Sequence, residues 1–374
     1  MKAVYQTAGF LKKYFPVSFA RIILISQTVS ALIKVKTVSL DETAAGFAGK
    51  TETDSDERRM RRFFRDFSPD PDFIALFAAS GLPGGKWLPT ADRTDREFGK
   101  IKINILMPAA VYKGVAVPLL WKFLTKKDDP DIGKKGSPNT EERKELTEQS
   151  VRLFGKERTE AVAADREFIG NQRFLRLRTD HINIVIRIRE NQQVADSRGI
   201  HTRVSSLFRN LKIGESRILK GLGKTGDAGV FVCGMRLPAG KLLIAVTFDA
   251  PEKASEIYAE RRQTGTMSAC LGTRGFRFES ARPGDFGRIS RLPGIAVTAF
   301  VRVYLIGDSL NEIKPVTVKK HGYRAESIFK KGSGHLRRIL LNLSEYIDEF
   351  AEAVQVFSVP SEYFFKSHKL CDLK

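Results

Sequence analysis

The chain has 374 residues, enough for one large domain or two to three smaller ones. With 42% hydrophobic residues it can bury a substantial core, which excludes wholesale disorder. Its formal net charge of +20 calls for a polyanion, and for a basic protein the usual one is nucleic acid; an anionic membrane surface and plain basicity without a partner are the competing explanations.

Residues 1 to about 80 read as helical. The 15–35 stretch is apolar but interrupted by Arg21, Ser26, Gln27, Ser30 and Lys34, so it does not read as a membrane span. Ile22, Ile25, Val29 and Leu32 fall at helical spacing and predict an amphipathic helix. No small-residue cleavage site follows a compact apolar core, so no signal peptide is expected. In ERRMRRFFRDF, Met60, Phe63, Phe64 and Phe67 share one face, while Arg58, Arg61, Arg62 and Arg65 crowd the rest. A core helix with a solvated face explains the phenylalanines; contact with a phosphate backbone explains the arginines better.

From Trp87 to Trp121 the pattern turns to strands. KWLPTAD, IKINILMPAAVY and GVAVPLLW predict an antiparallel meander, its last two strands joined at Tyr112-Lys113-Gly114. KKDDPDIGKKGSPN predicts a loop, and Asn139 with Glu142 a capping box opening a helix with Leu146, Val151 and Leu153. AVAAD predicts a buried strand ending at Asp165, followed by a helix over 172–178 and a strand in NIVIRIR. Residues 200–250 are Gly-rich with short β-like runs. A helix should restart near Pro251 and continue through KASEIYAERRQTGTMSACL. A last helix is expected over about 336–354. Cys233, Cys270 and Cys371 lie far apart without metal-ligand spacing, which predicts a reducing compartment and no zinc site.

Asp92 and Asp165 each fall at the predicted end of a strand. Paired strand-end carboxylates are good hard-oxygen ligands for Mg²⁺, and two such ions can drive phosphodiester chemistry. Either aspartate alone is more often a cap or a salt-bridge partner.

The surrounding text carries a resemblance. DRTDREFGKIKINILMPAAVYKGVAVPLLW resembles the first catalytic block of the IS-four group of insertion-sequence DDE transposases. SPNTEERKEL and RLFGKERTEAVAADREFIG resemble the second, and EIYAERRQTGTMSACLGTRGFRFE the third; LKKYFP and TDSDERRMRRFFRDF are similar to the same group. The resemblance implies an α/β fold with a ribonuclease-H-like core. It divides the chain into a helical DNA-binding region (1–82), the first part of the core (83–190), a β-rich insertion (191–250) and the second part of the core with C-terminal helices (251–374). It also implies cut-and-paste transposition on double-stranded DNA, both element ends and target, by a homodimer in the bacterial cytoplasm at the nucleoid. Asp92 and Asp165 match the first two metal-binding aspartates, for two Mg²⁺ ions with Mn²⁺ as a substitute. Tyr258 and Arg261 match the signature Tyr and Arg, which resemble DNA-phosphate contacts; core packing is the plainer explanation of Tyr258.

This chain departs from that pattern. Gly265 stands where the family has its catalytic Glu, and Gly272 where it has Lys. Arg262 replaces a common Trp, Asp95 a common Asn, and Pro293-Gly294 interrupts a stretch expected to be apolar and helical. Glu260 falls off the face of position 265 on a helical wheel and Glu256 points nearly opposite; Glu279 is in phase, but Gly275 should end the helix before it. The alternatives are therefore an impaired transposase, a catalytically inactive DNA-binding relative such as a repressor, and a general ribonuclease-H-like nuclease.

Overall fold

The computed structural model describes residues 2–49, 51–82, 85–99, 101–126, 129–133, 140–168, 170–195, 198–219, 221, 223–225, 228–281, 286–320 and 324–355. The fold is mixed α/β. The first eighty residues form α1 (Lys2–Leu11), α2 (Phe19–Val35), α3 (Leu40–Ala45), α4 (Thr53–Asp66) and α5 (Pro71–Ser80). On α2 the expected stripe of Ile22, Ile25, Val29 and Leu32 is buried, but so are Ser26, Gln27, Thr28, Ser30 and Ile33. The helix is enclosed on all sides rather than amphipathic. Ser26 and Thr28 are tolerated there because each hydroxyl donates to the carbonyl four residues back, at 2.8 Å. On α4 the predicted division holds: Met60, Phe63 and Phe64 are buried, and Arg58, Arg61, Arg62 and Arg65 are exposed.

The meander follows as β1 (Leu88–Phe98), β2 (Ile101–Tyr112) and β3 (Val115–Pro118), then β4 (Lys122–Phe123). Lys113 (φ 48°) and Gly114 (φ 78°) both take left-handed backbone in the β2–β3 turn, the geometry a two-residue hairpin favours. Lys113 also reaches Asp308 and Glu312, at 3.0 and 2.7 Å. The predicted charged loop contains a small hairpin, β5 (Thr125–Lys126) with β6 (Asp129–Gly133). The capping box falls partly on Asn139, outside the described residues; its helix is α6 (Thr140–Phe154). Next come β7 (Val162–Ala164), α7 (Asn171–Thr179) and β8 (Ile184–Arg187).

Residues 191–250 give β9 (Gln193–Ala195), β10 (His201–Arg203), α8 (Val204–Leu207), β11 (Ser216–Ile218), β12 (Gly223–Thr225), β13 (Ala228–Arg236) and β14 (Leu242–Thr247). These strands continue the sheet of the meander. Its order is β10-β9-β12-β13-β14-β8-β7-β1-β2-β3, with β11 beside β13 and β4 beside β2. Pairing is parallel from β1 to β7 and from β7 to β8, and antiparallel elsewhere.

The helix expected from Pro251 onward is two helices, α9 (Ala254–Glu260) and α10 (Gln263–Leu271), broken at Arg261–Arg262. The break leaves α9 on β8 and β14 while α10 lies on β1 and β3. Beyond them lies α11 (Phe286–Ile313), which runs straight through Pro293 and Gly294. These two residues were expected to interrupt a helix and do not. Gly294 permits close packing: a Cβ there would stand 2.6 Å from Ile74 Cδ1. By length and composition α11 could cross a membrane, at a mean hydropathy of 1.5. Yet 83% of that window is buried inside the fold, where α11 contacts α2, α4 and α5.

The final helix expected over 336–354 is also two, α12 (Ile328–Leu341) and α13 (Ile347–Gln355), separated by a turn after the Asn342 cap. The helices of residues 2–80 share one apolar cluster with α11, α12 and α13. Where α11 crosses α12, Gly307 and Gly332 bring backbones into contact: added Cβ atoms would stand 2.1 Å from Ile328 O and 1.9 Å from Val303 O. Gly332→Ala is therefore expected to cost about 3 kcal/mol, the upper end for overpacking, because backbone must move. Gly334→Ala on the same helix meets nothing within 4 Å and should gain up to about 1 kcal/mol. Urea unfolding midpoints shifting in the same direction for both variants would refute this account of the crossing.

Candidate functional site

The three parallel strands fix a row of residues. β1 pairs with β7 as Thr90↔Ala163 and Ala91↔Ala164, and β7 pairs with β8 as Ala164↔Ile186. One step further along each strand stand Asp92, Asp165 and Arg187. Asp165 does end its strand. Asp92 does not: β1 runs on to Phe98 because β2 remains its antiparallel partner through Phe98↔Ile101. What ends at Asp92 is the ladder with β7. Both aspartates then make the same local contact, accepting from the next backbone N–H: Arg93 N to Asp92 Oδ1 at 3.0 Å and Arg166 N to Asp165 Oδ1 at 2.8 Å.

Arg261, at the junction of α9 and α10, reaches into this row. Its Nη2 donates to Asp92 Oδ1 at 2.9 Å and stands 3.9 Å from Asp165 Oδ2. Sharing one nitrogen, these two carboxylate oxygens lie at most about 7 Å apart, within a span that ions about 3.5–4 Å from each other could bridge. Thr264 Oγ1 stands 3.1 Å from the other oxygen, Asp92 Oδ2, and 2.9 Å from Arg261 O, so its single proton is shared between the two acceptors. Tyr258 is 8% exposed and packs with Leu88, Val185 and Leu243. Burial raises its hydroxyl pKa and the nearby Asp165 carboxylate raises it further, while Arg261 and the hydrogen-bonding Arg187 act the other way. The sequence reading missed Thr264 and Arg187. A signal for Arg187 existed, since NIVIR, like AVAAD, closes an apolar run on a charged residue.

Gly265 is the third residue of α10, exposed, and a Cβ there meets nothing within 4 Å. Gly272 is not inside a helix, as expected from the sequence, but caps the end of α10. A Cβ at Gly272 would stand 2.6 Å from Arg96 Nη1. Arg96 is tied to Ser268 O and Oγ at 3.0 and 2.8 Å and to Glu279 Oε1 at 3.2 Å. Glu279 is thus committed to Arg96. Gly275 closes this turn, with its Cα side only 1.6 Å (as an added Cβ) from Cys270 O. Cys233 and Cys270 are buried, and burial pushes both thiols up to about 12, away from nucleophilic chemistry; Cys371 lies outside the described residues.

The resemblance implies two Mg²⁺ ions, and the donor set can be judged on its chemistry. Two carboxylates suit one hard cation completed by water. Here Asp92 already spends both oxygens on Arg261 and Thr264, and among the described residues no group of three or more His, Cys, Asp or Glu could hold a metal. The residues present do not fit a pair of ions. On α4, Arg61 pairs with Glu57 at 2.7 Å and Arg65 with Asp66 at 2.6 Å, while Arg58 bonds the Asp54 carbonyl at 3.2 Å. Comparison of the chain with models of known protein families finds no match, and comparison with curated proteins finds none either.

Proposed function

We propose that the chain descends from a DDE transposase with a ribonuclease-H-like core, and that it binds double-stranded DNA at the ends of an insertion sequence while its strand-cleavage chemistry is impaired. One observation carries this reading: two aspartates from separate sequence blocks stand side by side where the β1–β7 ladder ends. The order of an antiparallel meander, α6, and then β7 laid parallel against the first meander strand supports the core assignment. Mg²⁺, or Mn²⁺ in its place, belongs to the ancestral reaction, and a homodimer on DNA is the assembly that would bring two ends together. The net charge of +20 supports the DNA partner.

Gly265 and the engagement of Asp92 by Arg261 favour the non-catalytic member of this pair of readings, a DNA-binding relative that occupies element ends without cutting them. The test is binding to a duplex carrying the inverted repeats that flank the gene, against a scrambled duplex of equal length at fixed salt. Preference for the repeats is the expected result. Equal affinity for both duplexes would leave only a general nucleic-acid-binding protein and overturn the assignment.

A further inference from the structure

We propose that Arg261 is a built-in cation: its guanidinium occupies the charge position between Asp92 and Asp165, so that the site takes no divalent metal. The inference concerns the site itself and its readout needs no DNA, so it stands or falls separately from the functional reading above.

The charge inventory comes first. The row at the strand ends carries two carboxylates, Asp92 and Asp165, and two guanidiniums, Arg187 from β8 and Arg261 from the α9–α10 break. Its formal charge is therefore balanced before any ligand arrives. A two-metal site works the other way, gathering excess negative charge that only cations relieve.

The geometry points the same way. Arg261 Nη2 donates to Asp92 Oδ1 at 2.9 Å and stands 3.9 Å from Asp165 Oδ2, so one cationic nitrogen serves both acids, as a bridging ion would. The Arg261 side chain is 15% exposed, against 25% and 32% for the two aspartates, so water screens this contact less than an ordinary surface pair. Thr264 fills Asp92 Oδ2 at 3.1 Å, and the backbone N–H groups of Arg93 and Arg166 each take an Oδ1 oxygen. An incoming Mg²⁺ would have to displace the guanidinium and strip its own hydration, and it dehydrates reluctantly. Arg187 in the same row adds repulsion against it.

At the junction of α9 and α10, Arg261 and Arg262 keep helical backbone angles while the hydrogen bonds tighten, Thr264 N–H bonding the Arg261 carbonyl at 3.0 Å, so that Arg261 and Thr264 are held together beside Asp92. The presence of a carboxylate at 265 would tip the inventory toward negative; Gly265 leaves it balanced.

The experiment is Mn²⁺ binding to the full chain, followed by the loss of the free-ion electron paramagnetic resonance signal. The wild-type chain is expected to hold no Mn²⁺ that Asp92→Asn abolishes. Arg261→Gln, which keeps a polar side chain of similar length without the charge, should gain a site at least about tenfold tighter, as expected for removing a unit charge a few Å away. Adding Asp92→Asn to Arg261→Gln should remove that gain. A wild-type site that Asp92→Asn abolishes would overturn the proposal, and so would a folded Arg261→Gln chain that gains nothing. Should Arg261→Gln fail to fold, the comparison of wild type with Asp92→Asn still decides.

Discussion

A chain with Arg58, Arg61, Arg62 and Arg65 all replaced by Ala is expected to bind duplex DNA with a much flatter dependence on salt. The apolar side of α4 is fixed inward through Met60, Phe63 and Phe64, so these four side chains point outward together. The helix end is held too, since Arg291 donates to the carbonyls of Phe64 and Arg65, the latter at 2.6 Å. Each phosphate neutralised adds about 0.9 to the slope of log affinity against log salt on B-form DNA. Arg61 and Arg65 each have a carboxylate neighbour, Glu57 and Asp66, and must trade it for phosphate. The slope should therefore fall by about two to four, the lower figure applying if only Arg58 and Arg62 engage. Folding should survive, because exposed charges with surface partners contribute little stability. Fluorescence anisotropy at several salt concentrations measures the slope, and a urea midpoint checks the fold. A slope equal to that of the wild type would mean that this face is merely solvated.

What the sequence made legible was local. The meander could be read because its apolar runs are separated by Lys113-Gly114, whose left-handed turn is encoded in two residues. The face of α4 could be read because Met60, Phe63 and Phe64 fall at helical spacing while every other position is polar. Asp92 and Asp165 could be paired because each follows an apolar run. What stayed hidden depends on partners far away in sequence. The length of β1 past Asp92 is set by β2, not by anything near the aspartate. The burial of Ser26 and Thr28 follows from the helices packed around α2. Pro293 lies inside α11, and Gly294 beside it lets the helix approach Ile74 and Pro69, more than two hundred residues distant in the chain. Neither glycine nor proline marks the junction at Arg261–Arg262, from which Arg261 reaches Asp92.

If the proposed descent is right, a carboxylate placed at position 265 should convert a chain expected to show negligible excision into one that nicks the element ends in Mn²⁺. No atom lies within 4 Å of a Cβ there, and position 265 is in the first turn of α10, where a negative charge interacts favourably with the helix dipole. Replacing glycine should itself add roughly 0.5–1 kcal/mol. Thr264, the preceding residue, already touches Asp92, so α10 starts beside the row of carboxylates. A third acid shifts the charge of that row from balanced to negative, the condition under which a divalent ion competes with Arg261. Gly272→Lys, which the family pattern would pair with it, is expected to work against the rescue. Its Cβ would press on Arg96 Nη1 at 2.6 Å and disturb the bonds that hold Ser268 and Glu279, so the turn after α10 would loosen. Gly265→Gln is the decisive control, since it repairs the helix without supplying a metal ligand. The expected order is Gly265→Glu above a wild type and a Gly265→Gln chain that are both near background, read as nicked supercoiled plasmid carrying the element ends. Equal rescue by Gln would show that the defect was helical rather than electrostatic. Efficient cutting by the wild-type chain would mean that the third acid, if one is needed, does not belong at position 265.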